Sequence, residues 1–180
     1  MTKYFDQFPI IDYNLSGVNG NTIEVTDIFR RVKARSKLAD NITLFDKYDV
    51  QEGESPETVA YKAYGSADYF WVITLINNVV NRYYDWPLPE NAFQQFVADK
   101  YSNPDGIHHY EVTTSSGKTT GDGPDDYSHK IEVNSDASGA QSVSNREFEQ
   151  RLQDKKRKIR LLNEQYLTSF IEEFNNLVRK

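Results

Sequence analysis

The chain has 180 residues, a formal net charge of -6 at pH 7 and no cysteine. The lack of cysteine excludes disulfides, thiol catalysis and zinc–thiolate sites, and the acidic balance argues against general nucleic-acid binding. Hydrophobic residues make up 38% and aromatic residues 13% of the sequence, a combination that predicts compact aromatic cores joined by polar segments.

Residues 1–43 are predicted to form an extended arm and an amphipathic helix. The arm, residues 1–25, is broken by proline and glycine and carries apolar side chains, namely Phe5, Phe8, Ile10, Ile11 and Tyr13. An arm this apolar should lie against its own core or against another chain. A helix is predicted over Thr26–Asp40, with Thr26 as its N-cap and Ile28, Phe29 and Val32 at helical spacing.

Residues 44–103 are predicted to form a small core followed by a helix. Leu44–Val50 alternates as a strand, and a first helix starts at the cap Ser55 with Pro56 in its first turn and ends at Gly65. Ser66–Asn78 is predicted to be a second helix, apolar on most sides and therefore buried. The predicted core residues are Tyr48, Val50, Trp71, Ile73 and Leu75. Beyond an extended passage through Pro87 and Pro89, a helix is predicted over Glu90–Tyr101.

Residues 104–143 are predicted to form an exposed β-rich insertion and a polar loop. One strand is expected near His109 and another over Tyr127–Val133, with a turn at Ser115–Gly117 between them. His108 and His109 are adjacent on the first strand. Because adjacent strand residues point to opposite faces, these two are not expected to share a metal ion.

Residues 144–180 are predicted to form one long helix. No Gly or Pro interrupts this segment, and apolar residues recur in steps of three or four, with Lys155 as the exception: Phe148, Leu152, Ile159, Leu162, Tyr166, Phe170, Phe174 and Leu177. A rod of this length is too long for such a small domain to cover. Its apolar stripe is therefore expected to meet a partner.

Two resemblances follow from these motifs. YDVQEGES at Tyr48–Ser55 and WVITLIN at Trp71–Asn77 follow the spacing of LysM-type modules. The segments TIEVTDIFRRVKAR, AYGSADYFWVITLINN and YYDW, the HY-x-V strand and the C-terminal segment resemble, in this order, the baseplate wedge protein family of T-even-like contractile-tailed phages. That resemblance implies an α+β fold with a LysM-like βααβ core. It also implies a structural virion protein of the tail baseplate, assembled in the host cytoplasm, that clamps adjacent wedge subunits together.

The alternative is a LysM-type module that binds peptidoglycan or chitin oligomers. Tyr83, Tyr84 and Trp86 could stack on sugars, and asparagines nearby could bond hydroxyls, namely Asn77, Asn78 and Asn81. The first turn has Gly-Glu-Ser-Pro in place of the usual Gly-Asp-Ser/Thr-Leu, and Trp86-Pro87-Leu88-Pro89 replaces the terminal strand. Both departures change the turns where a glycan would lie.

Other functions have weaker support. The basic run KKRKIR, residues 155–160, is interpreted as the solvated face of the long helix, or as a partner of an acidic neighbour, rather than as a phosphate site. The carboxylates lack the apolar surroundings that would tune them for catalysis, and no nucleophile elbow is present, so no enzyme and no cofactor are expected. The apolar run at Trp71 is shorter than the roughly 18 residues of a bilayer span, and no secretory signal is recognised.

The expected partners are other baseplate wedge proteins, with no small-molecule substrate. The predicted interface residues are the apolar and aromatic side chains of the arm, of the Tyr83 segment and of the C-terminal stripe: Phe8, Ile11, Phe29, Tyr83, Tyr84, Trp86, Ile159, Leu162, Tyr166, Phe170 and Phe174.

Overall fold

A computed structural model describes residues 4–15, 17, 22–30, 32, 43–119 and 123–179. It confirms a mixed α+β protein. The strands are β1 Ile10–Asn14, β2 Thr22–Thr26, β3 Phe45–Asp49, β4 Ile107–Thr114, β5 His129–Val133, β6 Gln141–Ser144 and β7 Lys158–Leu162. The α-helices are α1 Pro56–Tyr64, α2 Phe70–Ile76, α3 Arg82–Asp85, α4 Glu90–Lys100, α5 Asn145–Arg157 and α6 Leu167–Val178.

The described residues form two compact units. The limits of these units do not coincide with the predicted boundaries at residues 43, 103 and 143. The first unit contains the residues up to Pro87 and those from Lys156 onward. The second unit, Leu88–Lys155, is inserted between them in sequence. Each unit therefore has its own set of buried side chains.

The centre of the first unit is a two-stranded antiparallel sheet with two helices. β3 pairs with β7, so that Tyr48 stands opposite Ile159. The second strand of the predicted βααβ order does not follow the second helix directly, because Arg82–Asp85 forms the short helix α3 there. The second strand of this sheet comes from β7, beyond the inserted unit.

The helix signals around α1 are confirmed. The Ser55 side chain accepts a hydrogen bond from the Thr58 N–H, Pro56 occupies the first turn, and Gly65 ends the helix at a φ of 71°. Glycine adopts this left-handed conformation without the strain that a Cβ would cause. The second helix begins as a 3-10 turn at Ala67–Tyr69 and continues as α2.

Trp71 lies at the centre of an aromatic core. Its ring is 3% exposed and lies 4.6 Å from the Phe174 ring, 5.6 Å from Tyr4 and 6.3 Å from Phe170 between centroids. Val50 and Ile73 are also buried, whereas Tyr48 and Leu75 are partly buried against the same cluster. Helix α6 thus covers the face of α2 that carries Trp71.

The prediction of one long C-terminal helix is wrong. The segment divides into α5, β7, a 3-10 turn at Glu164–Tyr166 and α6. Within β7, Ile159 and Leu161 face the core while Lys158 and Arg160 are exposed, which is the period of a strand. As a strand paired with β3, the segment buries Ile159, Leu161 and Leu162 in the core, and this tertiary packing outweighs helix propensity.

The N-terminal arm, where it is described, consists of a 3-10 turn at Tyr4–Gln7 followed by a β-hairpin. β1 and β2 pair antiparallel, with Ile11 opposite Val25 and Tyr13 opposite Ile23. The predicted helix does not begin at Thr26, because Thr26 ends strand β2 and Ile28 and Phe29 form a turn. Residues 31 and 33–40 of that predicted helix lie outside the described residues.

The second unit combines a three-stranded antiparallel sheet with α4 and α5. The strand order is β5-β4-β6, so the predicted polar loop contributes the strand Gln141–Ser144. Phe93, Val97 and Val143 are buried in this unit. Glu111 is also buried, and ion pairs with Arg151 and Lys130 satisfy its carboxylate.

Gln7 is a buried polar residue whose replacement should change the free energy of unfolding. Its side chain is 1% exposed, and neither its amide nitrogen nor its amide oxygen has a hydrogen-bond partner among the described residues. Burying an unsatisfied amide costs free energy that an apolar side chain of similar volume avoids. Gln7→Met is therefore expected to raise the free energy of unfolding by about 1 kcal/mol. A urea titration checks this, and a loss of stability would show that the amide is satisfied.

Candidate partner-binding surfaces

Helix α3 presents two tyrosines to solvent. Tyr83 is 81% exposed and Tyr84 is 68% exposed, and Val80 just before the helix is also exposed. We call these three residues the tyrosine surface. Soluble chains rarely leave large apolar side chains grouped in this way unless another molecule covers them.

The backbone under the tyrosine surface is fixed by local hydrogen bonds. The Asn81 side chain accepts from the Tyr83 N–H at 3.0 Å and caps the helix. The Asp85 carboxylate accepts from the N–H groups of Asn81 at 2.8 Å and Val80 at 2.9 Å. These two donors hold the pKa of Asp85 below its ordinary value. This anchoring is present above the ordinary pKa and is lost as the pH falls through the lowered one.

Neighbouring elements hold α3 from both ends. Arg82 donates to Glu57 of α1 at 2.6 Å. Trp86, directly after the helix, is buried and its Nε1–H donates to the Glu54 carbonyl oxygen at 2.7 Å. The tyrosines therefore project from a rigid support, which lowers the conformational entropy that binding would cost.

Glu54 secures the turn that receives Trp86. Its carboxylate is buried and accepts hydrogen bonds from the Tyr48 hydroxyl, the Gln51 N–H and the Lys62 ammonium. Burial alone would raise the pKa of Glu54, but these donors outweigh burial and keep the pKa below its ordinary value. The carboxylate is thus a structural anion in the turn between β3 and α1.

The N-terminal hairpin carries a second apolar surface. Strand alternation and the β1–β2 register place Ile11, Tyr13, Ile23 and Val25 on one face. The first three are exposed and Val25 is half-buried. We call these four residues the hairpin face. The opposite face is mostly polar, so the hairpin is amphipathic but its apolar side is largely uncovered.

The base of the hairpin is tied to the first unit. The Asp27 N–H donates to the Pro9 carbonyl at 2.9 Å. The Arg30 guanidinium donates both to the Asp27 carboxylate at 3.0 Å and to the Val178 carbonyl at the end of α6, at 2.8 Å. Beside this anchor, Phe29 is 91% exposed.

The structure separates the predicted interface residues into three groups. Ile11, Phe29, Tyr83 and Tyr84 are exposed. Tyr166 and Phe170 are partly buried against the core. The prediction is corrected for the side chains buried within the chain itself, namely Phe8, Trp86, Ile159, Leu162 and Phe174. The supposed apolar stripe therefore packs largely on the first unit, because β7 and α6 turn it inward.

Two surface features were missed in the sequence. The hairpin face is signalled by period-two alternation in IIDYN and TIEVT on either side of Gly17 and Gly20. Val80, which lies next to the Tyr83 segment and is exposed, is not among the predicted interface residues.

Two of the three asparagines of the glycan alternative, Asn77 and Asn81, form side-chain hydrogen bonds within the chain. The Asn77 side chain donates to the Ile73 and Arg160 carbonyls and accepts from the Arg160 N–H at 2.9 Å, joining α2 to β7. Asn81 caps α3. Trp86, proposed for stacking, is buried. The geometry therefore gives no support to glycan binding at these residues.

The two adjacent histidines of β4 do not have the orientation on which the expectation of no shared metal ion rests. Within the described ranges, no three or more His, Asp or Glu side chains are grouped to hold a metal ion. His108 and His109 do not point to opposite faces, however, because their Nδ1 atoms lie 2.9 Å apart. In the part of the chain that the structure describes, no helix is both long and apolar enough to cross a membrane.

The basic run KKRKIR is not one helix face. It crosses the junction of α5 and β7. Arg157 pairs with Glu52 at 2.9 Å, and the Arg160 backbone binds Asn77. These contacts assign at least part of the run a structural role.

Comparison with known proteins shows which family the chain belongs to. The sequence profile of the family described as "Base plate wedge protein 53" matches residues 3–122. The chain is also 34% identical over 104 residues to "Baseplate wedge protein gp53" of Enterobacteria phage T4, covering 57% of this chain and 53% of that protein. The chain thus spans about half the length of the curated relative that it matches.

The family match covers both the hairpin face and the tyrosine surface. It extends over β1 to α4 and into the sheet of the second unit. The chain therefore belongs to the base plate wedge protein 53 family and is a structural protein of the phage tail baseplate in the virion.

Proposed function

We propose that this chain clamps adjacent wedge subunits of the baseplate together by binding them through the tyrosine surface and the hairpin face. The observation that carries this proposal is the exposure of Tyr83 and Tyr84 on a helix fixed at both ends. Tyrosines on rigid supports are common among the residues that dominate protein interfaces. The role needs surface complementarity and no catalysis.

A LysM-like core would supply the rigid body of the clamp, and we propose this fold for the centre of the first unit. The order β3, α1, α2, β7, with the two strands antiparallel, supports it. A LysM-type module places its second strand soon after its second helix. Here Leu88–Lys155 is inserted before that strand, which leaves the ββ pairing intact while adding a second folded body.

The hairpin face would act as a second, weaker contact. Strands of five residues make a hairpin of marginal stability in water, and Asp12 stands directly opposite Glu24. A neighbouring subunit that covers the apolar face would stabilise the hairpin as it binds. Two tethered contacts multiply weak affinities through effective concentration, so the clamp would engage wedges that are already side by side.

The double variant Tyr83→Ala/Tyr84→Ala tests the proposed interface. Each tyrosine is expected to contribute about 2 kcal/mol to binding. Loss of both should reduce incorporation at least about 100-fold when wedges are assembled from the other baseplate proteins of the same phage. Sedimentation of the assembled wedges measures incorporation. The matched control is Tyr127→Ala, which removes an exposed tyrosine from the second unit.

The fold of the double variant should be unchanged, since neither tyrosine is buried. Its thermal transition should match that of the parent chain. Incorporation at the level of the Tyr127→Ala control would contradict the assignment of the tyrosine surface.

A further inference from the structure

A β-bulge brings the two adjacent histidines of β4 together. Opposite β6, Ile107 pairs with Ser144 and His109 pairs with Val143, so His108 is an extra residue in the ladder. An extra residue breaks the strict alternation of side chains between the two faces of a sheet. Both imidazoles can therefore lie on one side, where the Nδ1 atoms stand 2.9 Å apart.

Phe148 of α5 holds the two rings in place. It stacks on His108 with a centroid distance of 3.9 Å and an interplanar angle of 11°. It meets His109 nearly perpendicularly, at 87° and 6.0 Å. The two imidazoles are thus nearly perpendicular to each other, at 84°, and packed against a common apolar support.

We propose that His108 and His109 chelate one divalent transition-metal ion of the Cu²⁺ or Ni²⁺ class through their Nδ1 atoms. Metal–imidazole bonds are about 2.0–2.1 Å long. Two such bonds at about 90° to each other place the nitrogens about 2.9 Å apart, whereas a tetrahedral angle places them about 3.3 Å apart. The 2.9 Å contact is a hydrogen bond between the two rings, and an ion that displaces the shared proton would find the nitrogens at the spacing of the tetragonal geometry that Cu²⁺ and Ni²⁺ adopt.

Glu111 completes the surroundings without joining the ligand set. Its Oε2 lies 3.9 Å from His109 Nε2, on the ring edge away from the paired Nδ1 atoms. Arg151 and Lys130 hold the Glu111 carboxylate in place. Water would fill the remaining coordination positions, since no third carboxylate or imidazole of the described residues is grouped with this pair.

Calorimetric titration of the tag-free full chain with CuCl₂ and with NiCl₂ tests the site. We expect one ion to bind per chain. His108→Gln and His109→Gln should each weaken binding by about tenfold or more, because even outer-shell changes at metal sites cost about that much. The matched control is His129→Gln, which removes the remaining histidine, exposed on β5, and should bind like the parent chain.

Electron paramagnetic resonance of the Cu²⁺-loaded parent chain gives a readout that needs no variant. Hyperfine coupling to two imidazole nitrogens is expected. Absence of saturable binding, coupling to a single nitrogen, or equal losses in His129→Gln and His108→Gln would overturn the proposal.

Discussion

Trp71→Ala is expected to lower the free energy of unfolding of the first unit by about 3–5 kcal/mol. The indole is nearly fully buried and packs against three aromatic rings from the N-terminal turn and α6, namely Tyr4, Phe170 and Phe174. Removing it deletes apolar contacts and leaves a cavity between α2 and α6 that the surrounding helices can fill only partly. Such a loss is a large share of the total stability of a small domain.

Urea denaturation followed by tryptophan fluorescence measures this effect. Trp86 remains in the variant, lies in the same unit and is buried, so its emission reports the same transition. The control is Tyr83→Ala, which removes an exposed aromatic ring and should change stability by less than about 0.5 kcal/mol. A loss of less than about 1 kcal/mol in Trp71→Ala would contradict the placement of this residue at the centre of the core.

Glu111→Gln is expected to destabilise the second unit by about 3 kcal/mol. The Glu111 side chain is buried, receives two hydrogen bonds from Arg151 at 2.7 and 2.8 Å, and receives a third from Lys130 at 2.6 Å. The guanidinium of Arg151, with Lys130, lowers the pKa of Glu111 from 4.5 to about 2. Glutamine keeps the shape but removes the charge that these cations neutralise.

Hydrogen exchange in β4 and β6 measures the loss, because both tryptophans lie in the first unit and do not report on the second. Protection of these strands should fall in Glu111→Gln. It should fall much less in Glu147→Gln, which removes the more exposed partner of Arg151. Unchanged protection in Glu111→Gln would show that the ion cluster contributes little.

The pH dependence of the second unit follows from the same carboxylate. Its pKa is lower in the folded state, so its stabilising contribution is complete above about pH 4.5 and is lost as the pH falls toward about 2. Acid titration should therefore weaken the protection of β4 in the parent chain over this range. The corresponding change should be smaller in Glu111→Gln.

Local signals predicted the first two helices of the core well. Ser55, Pro56 and Gly65 each act through their own backbone chemistry, so their effect is visible in a short window of sequence. The apolar density around Trp71 likewise predicts a buried helix without knowledge of its neighbours. These features depend little on distant parts of the chain.

The C-terminal segment could not be predicted in the same way. KIRLL alternates as a strand for only five residues within an uninterrupted stretch whose apolar spacing also fits a helix. The choice depends on β3, more than 100 residues earlier, which offers unpaired backbone groups. Tertiary pairing decided between two local patterns that the sequence alone left nearly balanced.

The same long-range pairing explains why some of the predicted interface residues are buried and others are exposed. Residues placed in a free apolar stripe, such as Ile159 and Phe174, are buried because β7 and α6 return to the first unit. Tyr83 and Tyr84 remain exposed because the hydrogen bonds of Asn81 and Asp85 fix α3 within a few residues. Their local support is why their exposure was easier to anticipate.

The orientation of the adjacent histidines also could not be predicted from the sequence alone. Strand alternation correctly predicts opposite faces for neighbouring residues in a regular ladder, but the bulge at His108 breaks that ladder. A bulge is set by the pairing with β6, which lay within the segment predicted to be a loop. The approach of the two rings could therefore not be predicted before the sheet was known.

Photo-crosslinking from position 83 in assembled baseplates tests the central claim most directly. A photoreactive phenylalanine analogue replaces Tyr83 in the full chain, and the cross-linked products are identified by mass spectrometry, with position 127 as the exposed control. The clamp account predicts cross-links from position 83 to a neighbouring wedge subunit, and few from position 127. Labelling from position 83 that stays within the chain, or that equals the control, would contradict it.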